Sequence, residues 1–326
     1  MATMVDVAAA AGVSPRTVSR VMNGSGYTRV KTRDRVLAAA EKMGYRINPS
    51  ARALKSGKTQ IIGIVVNTIS SDTVLKRIEH ISKLFSAESY AAMIRFADTP
   101  EAEEAAIEAS MPWCDGLIIF SNLPSSRSKI LEELRLKNFP FILVDPPRES
   151  EYPALYIDRR GGYEGATSYL LRKGRTRPLL LIEVFRSEER IRGFKAALKN
   201  AGIPFLPEMV LETGKEYSGG REAGPEIIRR IESGRVDAVL CHNDRMALGL
   251  LNVLNNRGIL VPEDAALIGF DDDSFDPYVV PSLSSIAQTG TDMDHFIFEQ
   301  LKKCIESGSP IASRVMGTKL MIRRSV

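Results

Sequence analysis

Residues 5–24 read VDVAAAAGVSPRTVSRVMNG and predict two short helices joined by a tight turn. The first helix ends at Gly12, because glycine readily adopts the left-handed conformation that terminates a helix. Ser14 is a strong N-cap, and Pro15 suits the first turn of a second helix that runs to about Asn23. This order of helix, turn and capped helix indicates a helix-turn-helix.

A third helix over residues 32–43 completes a small α-helical head. Its apolar positions, together with those of the first two helices, predict one shared core. The residues expected in that core are Ala8, Val13, Val18, Val21, Val36, Leu37 and Ala40.

The second helix has the side chains that a DNA-reading helix needs. Arg16 and Arg20 lie four residues apart, hence on one face, and that face is not the valine face. An arginine can donate two hydrogen bonds to guanine in the major groove, and short polar side chains suit phosphate oxygens. A solvated basic helix is the alternative, but cap, turn and core together favour DNA contact. The residues predicted to contact DNA here are Ser14, Pro15, Arg16, Thr17, Ser19, Arg20 and Asn23.

The charge of the chain is unevenly distributed. Residues 1–60 hold eleven Lys and Arg against three Asp and Glu, a net charge of +8, whereas the remainder carries −4. A basic head on a mildly acidic body is typical of a polyanion-binding module joined to a second function. On charge alone, an unevenly charged solvated surface remains the alternative.

Composition argues against several classes of protein. No apolar run approaches the roughly 20 residues that span a bilayer, and the first residues lack the pattern of a secretory signal. The three cysteines (Cys114, Cys241 and Cys304) are scattered, which argues against a disulfide or zinc site. We expect a cytoplasmic protein without membrane contact.

Enzyme motifs are missing from the sequence: it has no P-loop, no GxGxxG after a strand, no GxSxG and no HExxH. We therefore expect no catalytic residues, no metal and no cofactor. His80 and His295 are interpreted as helix-surface or packing residues, and His242 as a packing residue.

From Thr59 onward, buried-type strands alternate with helices. The predicted strands are QIIGIVVN (60–67), CDGLIIF (114–120), FPFILVD (139–145), LLLIEV (179–184), VDAVLCHND (236–244) and AALIGFDD (265–272). The predicted helices are 73–89, 101–110, 161–173, 189–201, 221–233 and 245–257. Such alternation predicts parallel sheets, and about ten elements are too many for one sheet. The body is therefore expected to be α/β with two subdomains.

Polar side chains end several of these strands. Ligands of α/β sheets bind beyond the carboxyl ends of the strands. Asp145, Asn243, Asp244, Asp271 and Asp272 are therefore candidate ligand-binding residues. The alternative is that each merely caps the following helix, as Asp244 in particular could do.

The head sequence, continued by KTRDRVLAAAEKMGYRINPSARALKSG (31–57), resembles the head of LacI/GalR-family bacterial transcriptional regulators. The resemblance is dense over the first sixty residues and looser to the C-terminus. It implies a body like that of periplasmic sugar-binding proteins, two lobes around a small-molecule cleft. The implied domains are a head (1–47), a hinge (48–58) and a body (59–326), with an N-lobe of about 59–158 plus 289–316 and a C-lobe of about 159–288 plus 317–326.

For DNA, the resemblance implies that Pro15, Arg16 and Arg20 read the operator. Most members of the family have a polar or aromatic residue at the position of Pro15, so the contact of this proline with a base would be apolar or absent. It also makes NPSARALKSG (48–57) a hinge helix that forms over the centre of the operator. Leu54 would be an apolar wedge between base steps. The hinge residues implied to contact DNA are Ala51, Arg52, Leu54 and Lys55.

For the effector, the resemblance maps a ligand-binding arginine onto Arg190 in RIRGF. The other implied effector-binding residues are Asp145, Asn243 in CHND, Asp271 in GFDD, and Gln288 in the SIAQ crossover segment. A guanidinium with carboxylate and amide groups also suits vicinal hydroxyls.

Lys215 occupies a position where the family usually has an aromatic ring that stacks on the ligand. Tyr217, two residues on, is a possible replacement. Lys215 beside Arg190, with Arg186 nearby, favours an anionic effector, a sugar acid or sugar phosphate. The alternative is that Lys215 points to solvent and the effector is a neutral sugar.

We therefore expect an effector-controlled regulator, a repressor in most members of the family, that binds double-stranded operator DNA. The chain ends in KLMIRRSV, a predicted strand without a leucine heptad tail, which favours a homodimer over a tetramer. The alternative function is a cytoplasmic sugar-binding protein or a sugar-metabolising enzyme with a similar body.

Overall fold

The structure of the protein, a computed structural model, describes residues 2–22, 27–45, 57–67, 72–121, 128–147, 149–184, 187–288 and 290–326. The chain divides into two compact units, Met1–Gln60 and Ile61–Val326. Several predicted DNA contacts lie outside the described residues: Asn23, Ala51, Arg52, Leu54 and Lys55.

The first unit is a three-helix domain whose turns are set by local hydrogen bonds. Its helices are α1 (Met4–Ala11), α2 (Pro15–Met22) and α3 (Val30–Lys42). Thr3 and Asp6 cap α1 reciprocally: Thr3 Oγ1 accepts from the Asp6 N–H at 3.3 Å, and the Thr3 N–H donates to Asp6 Oδ2 at 2.8 Å. Gly12 ends α1 with φ of 61°. Ser14 Oγ then accepts from the Thr17 N–H at 3.2 Å, as its predicted capping role requires.

The three helices of this head enclose a small hydrophobic core. Its buried residues are Val7, Ala8, Ala11, Val18, Val36 and Ala40. Val13 and Val21 are half-buried and pack against it. The expectation that Leu37 closes the core is wrong, since this side chain is 41% exposed. Val36 and Ala40, four residues apart, occupy the inward face of α3, and Leu37 lies about 100° around the helix.

The described residues of the second unit form two six-stranded sheets, one in each lobe. The N-lobe sheet contains, in spatial order, β11 (Arg314–Met316), β5 (Ala154–Ile157), β4 (Phe141–Val144), β3 (Gly116–Phe120), β1 (Ile61–Val66) and β2 (Ala91–Phe96). The C-lobe sheet contains β12 (Thr318–Met321), β10 (Ser284–Gln288), β9 (Ala266–Asp271), β8 (Ala238–Cys241), β6 (Pro178–Glu183) and β7 (Val210–Thr213). The β10–β12 pair is antiparallel and the other paired strands are parallel.

Helices cover the faces of both sheets, which makes each lobe an α/β layer structure as predicted. They are α4 (Asp72–Ala87), α5 (Pro100–Ser110), α6 (Lys129–Leu136), α7 (Arg159–Arg172), α8 (Glu188–Asn200), α9 (Glu216–Glu232), α10 (Asp244–Arg257) and α11 (Gly290–Ser307). Both faces of the central strands are therefore buried, and their residues form continuous apolar runs.

Of the strands absent from the sequence prediction, β2 lacks this continuous apolar pattern, whereas β5 is apolar but only four residues long. β2 is an edge strand, and its Phe96 is 59% exposed. SIAQ, interpreted as a crossover segment, belongs to strand β10, which pairs with β9. The serines of β10 are buried because they are hydrogen-bonded: Ser285 Oγ donates to Asp244 Oδ1 at 2.6 Å, and the Ser284 N–H donates to Ser325 Oγ at 2.8 Å.

Helices α9 and α10 approach closely through glycines. A Cβ atom at Gly220 would overlap the carbonyl oxygen of Met246, and one at Gly249 would overlap that of Tyr217. Because both obstacles are backbone atoms, a methyl group there could be accommodated only if the helices moved apart.

We expect Gly220→Ala to lower the free energy of unfolding by about 1–3 kcal/mol, the usual cost of overpacking. Gly165→Ala is the matched control, because Gly165 lies in α7 with open space around its Cβ position. That control should raise stability by roughly 0.5–1 kcal/mol, since alanine favours a helix over glycine. Urea denaturation of both variants measures the difference; equal stabilities would contradict the close packing.

Candidate DNA-binding surface and interlobe cleft

Helix α2 carries the predicted DNA contacts that the structure describes. Pro15, Arg16 and Arg20 are exposed, whereas Val18 on the opposite side of the helix is fully buried. At the start of the helix the Ser14 and Thr17 hydroxyls lie 3.0 Å apart. The helix therefore fixes its inner face against the head and presents both guanidinium groups to solvent, where DNA phosphates and bases could reach them.

The cleft between the lobes contains an ion pair that connects them. Asp145 follows β4 of the N-lobe, and Arg159 begins α7 of the C-lobe. The Arg159 guanidinium donates to both carboxylate oxygens of Asp145, with Nη1–Oδ1 at 2.5 Å and Nη2–Oδ2 at 2.6 Å. Burial lowers the pKa of Arg159, but the charge and hydrogen bonding of Asp145, together with the charge of Asp271, more than offset burial, so the pKa of Arg159 is raised.

Arg190 on α8 is buried beside two aromatic rings. Its guanidinium carbon lies 5.7 Å from the ring centroid of Tyr163 and 5.3 Å from that of Phe270, distances typical of cation–π contact. Arg159 lies 5.8 Å from the same Phe270 ring. Burial lowers the pKa of Arg190, although Asp271 attracts its charge. Two arginines thus converge on one ring at the base of the cleft.

Asp271 and Gln288 lie at the carboxyl ends of the neighbouring strands β9 and β10. Gln288 Nε2 donates to Asp271 Oδ1 at 2.6 Å, and Gln288 Oε1 accepts from Arg77 Nη2 at 3.2 Å. Burial and the charge of Asp273 raise the pKa of Asp271 to about 6. The two partners of Gln288 fix the orientation of its amide.

A cavity of about 270 Å³ opens beside this pair. Helix α4 of the N-lobe forms one wall with Thr73, Lys76, Arg77 and His80. Thr291 and Asp294 on α11, which packs against α4 in the N-lobe, also line the cavity, and the C-lobe contributes Asp271, Asp272 and Gln288. The cavity is thus lined mainly by polar and charged side chains from both lobes.

Further hydrogen bonds join α4 to the C-lobe near this cavity. Thr73 Oγ1 donates to the backbone oxygen of Asp271 at 3.1 Å, and the Ser274 N–H donates to Asp72 Oδ2 at 2.9 Å. Together with the Asp145–Arg159 ion pair, they hold the two lobes against each other at the cleft.

Two family models match this chain: bacterial regulatory proteins of the lacI family over residues 3–48, and a periplasmic binding protein-like domain over residues 167–326. The regulator AscG of Escherichia coli K12 is 32% identical over 337 residues, which cover 100% of this chain and 98% of AscG. The regulator GalR of the same organism is 33% identical, with 88% of this chain and 84% of GalR covered.

The chain belongs to the LacI family. Its relatives are transcriptional regulators rather than enzymes. Among solved structures, the complex of the transcriptional regulator CelR with cellobiose is 26% identical with a TM-score of 0.73 and full coverage of both chains. The structure of the lac repressor dimer bound to operator and the anti-inducer ONPF is 22% identical to this chain, with a TM-score of 0.87. The match covers 99% of this chain and 98% of the lac repressor chain, and at this identity it shows only that the two proteins share a fold.

In this LacI-family protein the predicted effector residues do not form one cluster. Asp271 and Gln288 are hydrogen-bonded and line the cavity, and Arg190 contacts the Phe270 ring next to Asp271. Asp145 is held by Arg159. Of the six predicted effector residues, all of which the structure describes, Asp271 and Gln288 line the cavity and the other four do not.

Asn243 caps helix α10 of this regulator, since its Oδ1 accepts from the Met246 N–H at 2.8 Å. The alternative that Asp244 caps this helix is therefore wrong. Asp244 is the first helical residue and is fully buried. Its carboxylate accepts from the Asp273 N–H at 2.9 Å and from Ser285 Oγ at 2.6 Å, which ties α10 to β9 and β10.

Lys215 is exposed at the N-cap position of α9 and does not line the cavity. Burial raises the pKa of Glu183, while the charges of Arg190 and Lys215 act to lower it. Tyr217 is 42% exposed, with its ring centroid 5.9 Å from the guanidinium of Arg245. Arg186 lies outside the described residues.

Sequence reasoning missed Arg77, Arg159 and Asp294, and it interpreted His80 as a surface or packing residue. In agreement with that interpretation, the His80 ring packs edge-on against that of His295; its Nδ1 also lies 2.9 Å from Asp294 Oδ2, and the side chain lines the cavity. A signal for this wall was present in the sequence: polar residues at 73, 76, 77 and 80 recur with helical spacing on one face.

No helix in the described parts of the chain combines the length and apolar character that crossing a membrane requires.

Proposed function

We propose that this protein is a cytoplasmic transcriptional repressor that binds operator DNA as a homodimer under the control of a small carbohydrate effector. The observation that carries this proposal is the pairing, in one chain, of a helix-turn-helix with two exposed arginines and a two-lobed unit with a polar cleft. The protein's relatives support the proposal, since AscG and GalR are transcriptional regulators and the solved relative CelR is a complex with cellobiose.

On the DNA side, Arg16 and Arg20 read base edges in the major groove, and Ser14, Thr17 and Ser19 contact phosphates. Pro15 contributes an apolar contact at the start of the helix. The remaining contacts are assigned to Asn23 and to the hinge residues Ala51, Arg52, Leu54 and Lys55, with the hinge spanning residues 48–58.

On the effector side, Arg190, Asp271 and Gln288 bind the ligand, with Asp145 and Asn243 at the edges of the cleft. The contacts that join the lobes, such as the Asp145–Arg159 ion pair, are either weakened or reinforced when the effector binds. Effector binding therefore changes the position of one lobe relative to the other. Because effector and operator are then linked through one conformational equilibrium, each must change the affinity of the other by the same factor.

The test combines DNA affinity with effector response. Affinity for duplex DNA should fall steeply with salt concentration, with a slope of log affinity against log salt of about −0.9 per phosphate neutralised. A panel of carbohydrates is then screened for a rise in melting temperature and for a change in operator affinity. A protein whose DNA binding is weak and insensitive to salt, but which binds or turns over a sugar, would instead support the sugar-binding or enzymatic alternative.

A further inference from the structure

The loop that follows β9 contains a buried carboxyl group that no hydrogen-bond donor satisfies. The Asp276 side chain is 0% exposed, and neither of its carboxyl oxygens has a hydrogen-bond partner among the described residues. The backbone around it is fixed, since the Asp276 N–H donates to the Asp273 oxygen at 3.1 Å and the Leu283 N–H donates to the Asp276 oxygen at 2.8 Å. An ionised carboxylate buried without a donor is strongly unfavourable, so this group requires another way of losing its charge.

The side chain placed to hydrogen-bond with Asp276 is a second buried carboxyl group, that of Asp244 at the start of α10. Asp244 differs from Asp276 because it accepts two hydrogen bonds, from Ser285 Oγ at 2.6 Å and from the Asp273 N–H at 2.9 Å. Hydrogen bonds of this kind stabilise the ionised form of a carboxyl group. Of the two side chains, Asp244 is therefore suited to hold the negative charge and Asp276 to hold a proton.

The cation nearest in contact, Arg323, is committed to other acceptors. Its Nη1 lies 3.6 Å from Asp276 Oδ2, which is beyond hydrogen-bond distance, and donates to the Leu283 oxygen at 2.8 Å. Its Nη2 donates to Asp272 Oδ1 at 2.5 Å. Arg323 thus attracts the charge of an ionised Asp276 without donating a hydrogen bond to it.

Other charged and titratable groups around the two carboxyls are mostly acidic. They are Asp271, Asp272 and Asp273 from β9 and its loop, Cys241 from the end of β8, Arg245 from α10, and Arg323. Burial, and after it the charge of Asp244, raises the pKa of Asp276. A second negative charge beside Asp244 is therefore disfavoured both by burial and by its neighbours.

We propose that Asp276 is protonated at neutral pH and donates its hydroxyl to the Asp244 carboxylate, so that the C-lobe contains one structural proton shared by these two side chains. The hydrogen bond gives Asp276 the partner that it otherwise lacks. It also leaves a single negative charge on the two groups.

This proton lies behind the loop with which the C-lobe contacts helix α4 of the N-lobe. The Ser274 N–H in the loop donates to Asp72 Oδ2 at 2.9 Å, and Thr73 Oγ1 donates to the Asp271 oxygen at 3.1 Å. Loss of the proton would place two like charges between the loop and α10. We therefore expect the proton to support the contact between the lobes as well as the C-lobe itself.

The proposal fixes the sign of a pH dependence. Between the ordinary pKa of an aspartate, about 3.9, and the raised pKa of Asp276, this group is protonated in the folded protein and ionised in the unfolded chain. Unfolding then releases one proton, so stability falls as the pH rises through this window. One released proton corresponds to about a tenfold rise in the unfolding equilibrium constant per pH unit.

The test is Asp276→Asn, because an amide has nearly the shape of the neutral acid and can donate to Asp244 but has no proton to lose. Urea unfolding of the full-length protein is measured at pH 6, 7 and 8 and at one protein concentration. The ratio of the unfolding constants, unaltered protein to variant, should rise about tenfold per pH unit, hence about 100-fold from pH 6 to pH 8.

Asp72→Asn is the control, since Asp72 faces the same loop from α4. Burial acts to raise the pKa of Asp72, but hydrogen bonds with Lys76 and Ser274 and the charge of Lys76 lower it overall. Asp72 is therefore ionised in both the folded and the unfolded protein from pH 6 to pH 8. The corresponding ratio for Asp72→Asn should be the same at all three pH values.

A ratio for Asp276→Asn that does not change with pH would overturn the proposal. So would stabilisation of the unaltered protein by Ca²⁺ or Mg²⁺ that Asp276→Asn abolishes, because a cation rather than a proton would then neutralise the two carboxyls. If the variant does not fold, infrared spectroscopy of the unaltered protein at pH 8 decides: a band of a protonated carboxyl group is expected, and its absence would refute the shared proton.

Discussion

Replacing Arg190 by alanine is expected to abolish the effector response while leaving operator binding intact. Arg190 is buried at the base of the cleft, beside the Tyr163 and Phe270 rings, and Asp271 attracts its charge. Truncating one member of a buried, hydrogen-bonded charge set typically costs 2–5 kcal/mol or more of binding free energy, so effector affinity should fall by at least about 30-fold. Calorimetric titration with the effector found in the carbohydrate screen measures this loss.

Arg192→Ala is the control for this change. Arg192 lies on the same helix, is 62% exposed and pairs with Glu189 at 2.5 Å. Its removal should alter neither effector affinity nor operator affinity. Melting curves without effector will show whether Arg190→Ala remains folded. If a folded Arg190→Ala protein kept the effector-induced rise in melting temperature, the effector would bind elsewhere.

The second large effect is expected on the DNA side, where Arg20→Ala should weaken specific operator binding. Arg20 is exposed on α2, and a bidentate arginine–guanine contact contributes about 1–3 kcal/mol of discrimination. The operator affinity should therefore fall by about 5- to 150-fold, with a much smaller loss on DNA of unrelated sequence. Fluorescence anisotropy with both DNAs at one salt concentration separates the two losses.

Lys42→Ala provides the charge-matched comparison, since Lys42 is an exposed cation on α3 of the same head. Removing either cation reduces general attraction to DNA, but only Arg20→Ala should reduce the ratio of specific to non-specific affinity. Parallel losses in the two variants would mean that Arg20 contacts phosphate rather than a base.

The head could be predicted from sequence because its structure is set by local signals. Gly12 ends one helix and Ser14 caps the next within three residues of chain. Leu37 was wrongly assigned to the core because the sequence does not show which of two adjacent apolar residues on a helix, Val36 or Leu37, is buried. The angle at which α3 packs against the other helices decides this. In the body, strands buried on both faces were recognisable, whereas the edge strand β2 resembles any half-exposed segment.

The candidate cleft was predicted only in part, for a related reason. Asp271 and Gln288 follow from strand ends and from family resemblance, but the residues that orient them come from distant segments. Arg77 and Gln288 are separated by 211 positions, and their contact depends on how the two lobes meet. Asn243 illustrates the reverse limit: an amide at a strand end predicts a helix cap as readily as a ligand contact, and the structure shows that Asn243 caps α10.

The two lobes are interleaved along the chain. In its described part, the N-lobe sheet takes its last strand from Arg314–Met316, and after the single residue Gly317 the chain returns to the C-lobe as Thr318–Met321. Neither lobe corresponds to one continuous stretch of gene, so recombination cannot exchange one lobe without splitting the other. A recombination junction near Gln60, by contrast, would leave both lobes of the second unit intact.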